Sequence, residues 1–379
     1  MSTSITLVLY LLGAFVLRVA TALENKQMVF AAYVPEYRAG IDWDFFGQHV
    51  TDFILFSVEP LPDGDLKPYF PIDDEGPDSA LVKAHRARNN SAHTNHLESD
   101  ADRLRLLLCV GGAGRSAHFR SVTSTKAKRT SFLKNLLEIL TSKQLQGIDF
   151  DWETPSNRND INQYQMLLQE AANMLRPRGF LVTATLHAWQ DIGVLAYASL
   201  DRVHLMSYDA RGTTHSSYET ALMDVQRLVG FNCPKSKIVL GVPFYGRGLQ
   251  NAGLVLTYND LVQKVGADLD PTSDILGTGK SAIGFNNVLT VQRKTKYAIK
   301  ESLAGIFAWE IGQDSNDPMT SLTKAISDVR MGIKRKRFQK KDASADPRFT
   351  TKLKKKGKKK AAKHKKKRKR RIVRKFNDL

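Results

Sequence analysis

Hydrophobic residues along the chain fall into two alternating patterns. Between eight short apolar runs lie longer segments, such as 130–141, 162–175 and 291–303, whose apolar residues recur every three or four positions. The short runs predict buried β-strands and the longer segments predict amphipathic helices. The eight runs are residues 28–34, 51–57, 104–110, 147–152, 181–186, 203–207, 237–242 and 305–309.

Strands that are apolar at almost every position are typical of a parallel sheet covered on both faces by helices. Eight such strands alternating with helices predict an α/β fold, a single closed (β/α)8 barrel. An open doubly wound sheet with additional strands is the structural alternative. In a barrel of this type, functional side chains lie at the carboxyl ends of the strands.

Charge divides the chain into two parts. Of its 57 Lys and Arg residues, 24 lie in residues 334–379, which contain only three Asp and no Glu. The rest carries 33 basic and 35 acidic residues, so the body is nearly neutral. Residues 333–379 are predicted to be a disordered Lys/Arg-rich tail, because they have almost nothing apolar to bury.

The amino terminus has the pattern of a secretory signal. Residues 5–17 are an apolar run of 13, followed by Ala20-Thr21-Ala22. The run is shorter than the roughly 20 residues that a membrane-spanning helix needs. We therefore predict a signal peptide at 1–22, a secreted, extracellular protein and a globular domain at 23–332. An uncleaved anchor is the alternative, since no Lys or Arg precedes the run.

Two further features concern the surface and the thiols. The polar stretch 83–102, which contains the glycosylation acceptor Asn89-Asn90-Ser91, is predicted to be a surface loop. The cysteines, Cys109 and Cys233, are too few for a disulfide scaffold. One bridge is permitted in a secreted protein, but Cys109 ends an apolar strand and is better interpreted as a buried free thiol.

The strongest chemical signal is Gln-Gly-Ile-Asp-Phe-Asp-Trp-Glu at 146–153. On a strand, Asp149, Asp151 and Glu153 share one face, about 6–7 Å apart in succession. Crowding and desolvation of three carboxylates favour retention of a proton by at least one of them at neutral pH. A protonated carboxylic acid is what general acid catalysis requires.

This motif resembles the signature of family 18 glycoside hydrolases, the chitinases and their relatives. Other segments agree with the family in order and spacing, over about residues 28–331. They are Tyr33 at the end of the first strand, Cys-Val-Gly-Gly at 109–112, Met-Ser-Tyr-Asp at 206–209, Gly-Val-Pro-Phe-Tyr-Gly-Arg at 241–247 and Gly-Ile-Phe-Ala-Trp-Glu at 305–310. The resemblance implies that 23–332 is a catalytic domain acting on chitin or other N-acetylglucosamine-containing glycans.

The resemblance also implies a mechanism in which the acetamido oxygen of the substrate is the nucleophile. Glu153 is then the general acid and base, and Asp151 holds the acetamido N–H. Asp149 shares a proton or a hydrogen bond with Asp151, and Tyr208 binds the acetamido oxygen. Trp309 supports the apolar face of the sugar, and the anomeric configuration is retained.

The remaining substrate-binding positions implied by the family motifs form the walls of the cleft. They are Tyr33, Met206, Asp209, Tyr245 and Arg247. For Tyr245 and Arg247 a purely structural role is the alternative. An endo-β-N-acetylglucosaminidase acting on N-glycans uses the same motif, and a sugar-binding lectin on the same barrel is the alternative without turnover.

The chain departs from the family pattern in three places. Gln146 stands where an Asp often begins the motif, and this loss of one buried charge is expected to shift the pKa of Asp149 without removing the acid. Cys109 replaces the usual Ser, which weakens a hydrogen bond to the aspartate pair. Only 57 residues separate Arg247 from Gly305, so the α+β insertion domain of many relatives is predicted to be absent or vestigial. An open cleft of this kind favours internal, endo-acting cleavage.

Neither a cofactor nor a metal is expected. Gly112-Ala113-Gly114 begins a glycine motif, but no acidic residue follows at a strand end about 20 positions on, as a dinucleotide site requires. The basic tail is predicted to bind polyanions such as acidic polysaccharide, nucleic acid or an anionic lipid surface. A nuclear localisation signal and a solvated tail without a partner are alternatives. The oligomeric state is open, with a monomer expected.

Overall fold

The computed structural model describes residues 28–94, 103–210, 214–266, 269–270 and 272–332. The predicted signal peptide and the basic tail lie outside these residues. Within the described ranges, no helix has the length and apolar character needed to cross a membrane.

Thirteen strands are present in the described residues, and eight of them close into a parallel barrel. The barrel order is β1, β2, β4, β5, β6, β7, β8 and β13, with β13 pairing back onto β1. The predicted (β/α)8 barrel is confirmed, and the open sheet is excluded by this closure. The strands are β1 Val29–Pro35, β2 Asp52–Pro60, β3 Leu66–Pro68, β4 Arg105–Gly111, β5 Gly147–Asp151, β6 Leu181–His187, β7 Arg202–Met206, β8 Ile238–Pro243, β9 Tyr245–Gly248, β10 Val255–Thr257, β11 Ile275–Leu276, β12 Ile283–Gly284 and β13 Gly305–Trp309.

The helices cover the outside of the barrel, and several begin with a side-chain cap. Thr125, Asn157, Ser217 and Asn287 each accept a hydrogen bond from a backbone N–H three residues on, which satisfies a free donor of the first turn. The helices are α1 Trp43–Gly47, α2 Ala80–Thr94, α3 Phe119–Thr123, α4 Lys126–Ser142, α5 Arg158–Leu175, α6 Val194–Ser199, α7 Tyr218–Gly230, α8 Tyr258–Val265, α9 Val288–Lys300 and α10 Leu322–Arg330.

The core has two layers because alternate side chains of each strand face opposite ways. The larger layer fills the space between strands and helices. The smaller one fills the barrel interior and includes Tyr33, Phe56, Cys109 and Phe307. Cys109 and Cys233 are both buried and free, which confirms the interpretation of Cys109 as an unbridged thiol.

The segment between β8 and β13 forms a small substructure rather than a full domain. Strands β10, β9, β12 and β11 make a four-stranded antiparallel sheet, and α8 packs beside it. This agrees with the prediction of a vestigial insertion. Strand β9 follows directly on β8, so its side chains stand at the edge of the barrel mouth.

The prediction that residues 83–102 form a surface loop is wrong for the described part. Helix α2 runs through this stretch to Thr94. Its buried face is formed by Leu81, Ala84 and Ala87, whose helical spacing is obscured by the polar residues between them. Asn89 is exposed on this helix, whereas Ser91 is buried and donates to the carbonyl of Arg88.

Lys294, a fully buried lysine on helix α9, forms hydrogen bonds with Ser216, in the segment that follows β7. The ammonium of Lys294 donates to the carbonyl and hydroxyl of Ser216 and to Oδ1 of Asn286, at 2.7–2.9 Å. Burial without a directly paired carboxylate lowers the pKa of Lys294 to about 7. The hydroxyl of Ser216 in turn donates to the carbonyl of Ser207, at the end of β7.

We predict that this lysine makes stability depend on pH. Between pH 7 and the ordinary lysine pKa of 10.5, the unfolded chain binds more protons than the folded one. The free energy of unfolding of the wild type should therefore rise between pH 7 and 9 by about 2 kcal/mol relative to Lys294→Met. Urea unfolding at both pH values measures this difference. Lys296→Met, an exposed change on the same helix, should leave the rise intact, and an equal rise in Lys294→Met would refute the prediction.

Candidate active site

The three carboxylates of the predicted motif lie in a line at the carboxyl end of β5. Asp149 and Asp151 face the barrel interior and are 0% and 2% exposed. Glu153 lies just beyond the strand, with its side chain 23% exposed. The alternation read from the sequence therefore places one carboxylate deep in the barrel, one beneath the mouth and one in contact with solvent.

Asp149 is held by four donors that come from three other strands. Its Oδ1 accepts from Thr183 at 2.6 Å and from Nδ1 of His204 at 2.8 Å. Its Oδ2 accepts from Tyr33 at 2.8 Å and Thr185 at 2.9 Å. Burial opposes ionisation, but the charge and hydrogen bonds of these partners outweigh it and hold the pKa of this carboxyl below its ordinary value.

Asp151 has the opposite environment. Its Oδ1 is buried and has no hydrogen-bond partner among the described residues. Burial, followed by the charges of Glu153 and Asp149, raises the pKa of Asp151 well above its ordinary value. Since both oxygens of Asp149 are already occupied, the expected hydrogen bond between Asp149 and Asp151 is not formed in this arrangement. Asp151 is free to bind a polar group in the cavity above it.

Two glycines at the end of β4 allow the acid strand to pack this closely. A Cβ on Gly111 would lie 2.3 Å from the carbonyl oxygen of Asp151, and one on Gly112 would lie 2.4 Å from the ring of Phe56. Both glycines have φ of 98°, a backbone conformation that residues other than glycine rarely adopt. The glycine pair at 111–112 thus allows close packing beside the carboxylates.

The line of carboxylates opens into a cavity of about 250 Å³ at the barrel mouth. Nine of the ten predicted site residues line it, and the tenth, Asp149, lies beneath its floor. The nine are Tyr33, Asp151, Glu153, Met206, Tyr208, Asp209, Tyr245, Arg247 and Trp309. The structure therefore brings the predicted residues together, while their roles in catalysis and binding stay predictions.

Aromatic rings form the floor of the cavity. Trp309 packs on Tyr33 at 5.2 Å and on Phe56 at 4.9 Å between ring centroids. Tyr208 packs against Phe307, and burial raises its pKa well above the ordinary value, so its phenol stays a neutral donor. Tyr33 is fully buried and its hydroxyl is committed to Asp149, so it positions that carboxylate rather than offering a free polar group to a ligand.

One wall of the cavity is a polar cluster around Asp209. Its Oδ1 accepts from the hydroxyl of Tyr245 at 2.6 Å, and its Oδ2 accepts from Arg247 at 3.0 Å. Burial opposes ionisation of Asp209, but hydrogen bonds from His215 and Tyr245 and the charge of Arg247 lower its pKa. Tyr245 and Arg247 thus have a structural role in holding Asp209 and also line the cavity.

Gln146 and Cys109, the two residues that depart from the family motifs, have different surroundings. Gln146 lies at the amino end of β5, where its amide accepts from the N–H of Leu106 and donates to the carbonyl of Gln144. It is therefore not one of the partners that set the pKa of Asp149. Cys109 pairs in register with Asp149 inside the barrel. The thiol is fully buried, and the effect of replacing Ser by Cys on the aspartate pair stays a prediction.

Sequence reasoning missed three of the four partners of Asp149. Thr183, Thr185 and His204 all point into the barrel. A signal for two of them was present, because Thr183, Thr185 and His187 alternate with apolar residues along β6 as the carboxylates do along β5. Arg38 was also missed; it lines the cavity and forms an ion pair with the buried Glu310.

In the part of the chain that the structure describes, no group of three or more His, Cys, Asp or Glu side chains is arranged to hold a metal ion.

The structure is a closed (β/α)8 barrel with a line of carboxylates and an aromatic floor at its mouth. The sequence model of Glycosyl hydrolases family 18 matches residues 28–314, and the chain belongs to this family. The resemblance inferred from the motifs is thereby confirmed.

Three relatives illustrate the match. Class V chitinase CHIT5 of Lotus japonicus is 24% identical in an alignment of length 270 that covers 56% of this chain and 68% of the relative. A class V chitinase from Nicotiana tobaccum, solved as a variant in complex with NAG4, superposes with a TM-score of 0.65 at 18% identity, covering 80% of this chain and 99% of that one. A chitinase-like agglutinin from Robinia pseudoacacia has a TM-score of 0.65 at 21% identity, covering 79% and 99%.

We predict that Thr183→Val weakens the fold by removing a donor to the buried carboxylate of Asp149. The replacement keeps the shape of the side chain, so the expected loss is that of a hydrogen bond to a charged group, about 1.5–3 kcal/mol in the free energy of unfolding. Thr295→Val is a matched control, because that buried hydroxyl donates only to a helix carbonyl, of Val291. Denaturant unfolding at pH 7 compares the two. Equal losses in both variants would argue against a special stabilisation of Asp149.

Proposed function

We propose that the protein hydrolyses β-1,4-linked N-acetylglucosamine polymers, that is chitin, with Glu153 as general acid and base. The observation that carries the proposal is the pairing of Asp151 and Glu153. One is buried with an unpartnered oxygen, and the other reaches solvent at the mouth of the same cavity. Membership of a glycoside hydrolase family with chitinase relatives supports the choice of substrate.

The first chemical step uses the N-acetyl group of the substrate. The sugar lies over Trp309. Its acetamido N–H donates to the unpartnered oxygen of Asp151, and its acetamido oxygen accepts a hydrogen bond from the phenol of Tyr208. That oxygen attacks the anomeric carbon while the bond to the leaving sugar breaks. Glu153 transfers its proton to the departing oxygen. Asp151, as an anion, balances the positive charge of the resulting oxazolinium ion.

The second step restores the enzyme. Water attacks the anomeric carbon, the oxazolinium ring opens to give back the acetamido group, and Glu153 takes up the proton of the water. Two displacements at one carbon give net retention of configuration. Burial and the charges of Glu153 and Asp149 favour a proton on Asp151 in the free site. In the proposed mechanism this proton passes to Glu153 when the substrate binds, which leaves Asp151 as the anion and Glu153 as the acid that the first step requires.

Endo-acting cleavage is part of the proposal. The insertion between β8 and β13 is a small sheet and one helix, and it contributes Tyr245, Arg247 and Val255 to one wall of the cavity without adding a separate domain. A mouth of this kind admits the middle of a polymer. The alternatives are an endo-β-N-acetylglucosaminidase on N-glycans, which needs the same carboxylates, and a lectin-like protein. The agglutinin on the same fold supports the lectin, whereas the presence of Glu153 at the cavity favours turnover.

We predict that Glu153→Gln lowers the rate of chitohexaose hydrolysis by about 10²–10⁴-fold, the usual contribution of a general acid. The amide keeps the size of the side chain but cannot transfer the proton. Binding of chitohexaose, measured by calorimetry, should survive. Glu301→Gln is the matched control, since Glu301 pairs with Lys235 on the exterior and lies outside the cavity.

The same experiment separates the alternatives. Wild-type protein that binds chitohexaose and a high-mannose glycopeptide without cleaving either is a lectin. Cleavage of the glycopeptide alone identifies the N-glycan activity. An unchanged rate in Glu153→Gln would remove this residue from the mechanism.

We also propose that the protein is secreted and that its basic tail binds polyanions. The first part rests on the apolar run at 5–17 and the small residues that end at Ala22. The second rests on 24 Lys and Arg residues within 334–379. A cationic segment gains affinity by releasing counterions, so its binding weakens steeply with salt.

We predict that a chain ending at Met331 loses affinity for a polyanion but keeps its catalytic rate. The full chain should bind labelled heparin with an affinity that falls by about 10³-fold or more between 50 and 200 mM salt, as expected when many charges are neutralised. The shortened chain should show neither the affinity nor the salt dependence. Hydrolysis of a soluble chitooligosaccharide serves as the control. A large fall in that rate would make the tail part of the catalytic domain.

A further inference from the structure

Tyr208 and Asp209 reach the cavity from a short stretch of chain that follows β7. The N–H of the next residue, Ala210, donates to the carbonyl of His215 at 3.0 Å, so this stretch lies beside the chain that enters α7. Asp209 has φ of 62°, a backbone conformation that is uncommon for residues other than glycine. The position of both cavity residues therefore depends on the contacts that hold this turn.

Two side-chain contacts hold Ser207, the residue immediately before Tyr208. Its carbonyl accepts from the hydroxyl of Ser216 at 2.7 Å, and its own hydroxyl donates to Oδ2 of Asp224 on α7 at 2.7 Å. Ser207 and Ser216 are both 0% exposed, so water does not readily replace a lost partner. A change at the first contact therefore acts on the backbone directly beside Tyr208.

The hydroxyl of Ser216 is in turn coupled to the ammonium of Lys294. That ammonium has three N–H donors, which meet three acceptors: the carbonyl and the hydroxyl oxygen of Ser216 and Oδ1 of Asn286. The amide of Asn286 is fixed in its orientation, because its Nδ2 donates to the same carbonyl of Ser216 at 2.7 Å. All three ammonium protons are thus committed while the lysine is charged.

Loss of one proton from Lys294 leaves two donors for the same three acceptors. Neither the carbonyl nor the amide oxygen carries a proton, so only the hydroxyl of Ser216 can turn and donate to the electron pair of the neutral amine. This hydroxyl has a single proton, and turning it towards the lysine withdraws it from the carbonyl of Ser207. If it stayed on Ser207, two unshared electron pairs would face each other at 2.7 Å in a fully buried place, which is less favourable.

The surroundings of Lys294 make this proton exchangeable near neutral pH. The side chain is fully buried, and burial is the main reason that its pKa falls to about 7. Three carboxylates partly oppose the shift through their charge: Asp274, which precedes β11, and Asp224 and Glu219 on α7. The hydrogen-bond pattern of the turn therefore changes within the ordinary working range of pH.

We propose that Lys294 is a positioning residue whose proton controls, through the hydroxyl of Ser216, how firmly Tyr208 and Asp209 are held at the cavity. The inference rests on the proposed function and adds regulation of the same site by pH. With the lysine charged, the turn is fixed and Tyr208 is placed to bind the acetamido oxygen. As pH rises through neutrality, the carbonyl of Ser207 loses its donor and turnover falls. Stability and turnover then change with pH in opposite directions.

Magnetic resonance tests the relay without any substrate. In wild-type protein with isotope-labelled tyrosine and lysine, the amide of Tyr208 and the Cε of Lys294 should titrate with one common midpoint near pH 7. Tyr208→Phe and Lys294→Met identify the two signals by their loss. Ser216→Ala removes the relaying hydroxyl but keeps the lysine, so Lys294 should still titrate while the amide of Tyr208 no longer follows it. Lys296→Met, an exposed change on the same helix, should leave both transitions intact.

The kinetic consequence is measured with chitohexaose over a range of pH. Since Asp151 and Glu153 also exchange protons, kcat of the wild type is divided by kcat of Ser216→Ala at each pH, which cancels the titration that both proteins share. This ratio should be about tenfold at pH 6, the effect of one hydrogen bond. It should approach one at pH 8.5, where the wild type has lost the same contact. In Lys296→Met the ratio should follow the wild type.

Three results would overturn the relay. A transition of the Tyr208 amide that persists in Lys294→Met or Ser216→Ala would belong to another group, such as His215, which lies 3.5 Å from Asp209. A Lys294 signal that does not change between pH 5.5 and 8.5 would remove the exchangeable proton. A kcat ratio that is constant with pH would leave Ser216 with a structural role alone. If the wild type does not hydrolyse chitohexaose, the proposed function fails on its own, and the resonance experiment still decides the relay.

Discussion

A buried, ionised carboxylate at the centre of the barrel is the constraint on which the site depends. An isolated charge in such a place would be prohibitively unfavourable. Asp149 is tolerated because Tyr33, Thr183, Thr185 and His204 donate to it from β1, β6 and β7. The same bonds fix the position of β5 relative to those strands. They also place a negative charge beneath Asp151, which helps to keep the proton affinity of that carboxyl high.

From this centre outward, the carboxylates have increasingly different environments. Asp149 is saturated with donors, Asp151 is buried and partly unpartnered, and Glu153 reaches the solvent. The gradient follows from one strand running from the barrel interior to its mouth, with side chains alternating between the two faces. One short segment can therefore supply a buried structural carboxylate, a carboxyl that binds a polar group and an acid at the cavity. This requires that the neighbouring strands place hydrogen-bond donors beside Asp149 but not beside Oδ1 of Asp151.

The rim of the barrel adds features that the strands alone do not contain. The cluster of Asp209, Tyr245 and Arg247 joins the end of β7 to β9, and the small insertion sheet supports it. On the other side, the turn after β6 presents His187 and Trp189 beside Glu153. Substrate choice in barrels of this type depends on such loops, whereas the strand ends supply the common chemistry.

The amino-acid pattern was sufficient to predict eight strands, barrel closure, the vestigial insertion and the line of carboxylates, because each depends on local periodicity or on the length of a segment. It misjudged residues 83–94, where polar side chains obscured a helical face. It did not reveal the partners of Asp149, since Tyr33 and His204 are 116 and 55 residues away in the chain and meet it only when the barrel closes. The contrast between Asp149 and Asp151 was likewise decided by tertiary structure, because burial and donors supplied by other strands set the proton affinity of a carboxyl, whereas its own neighbours in sequence do not.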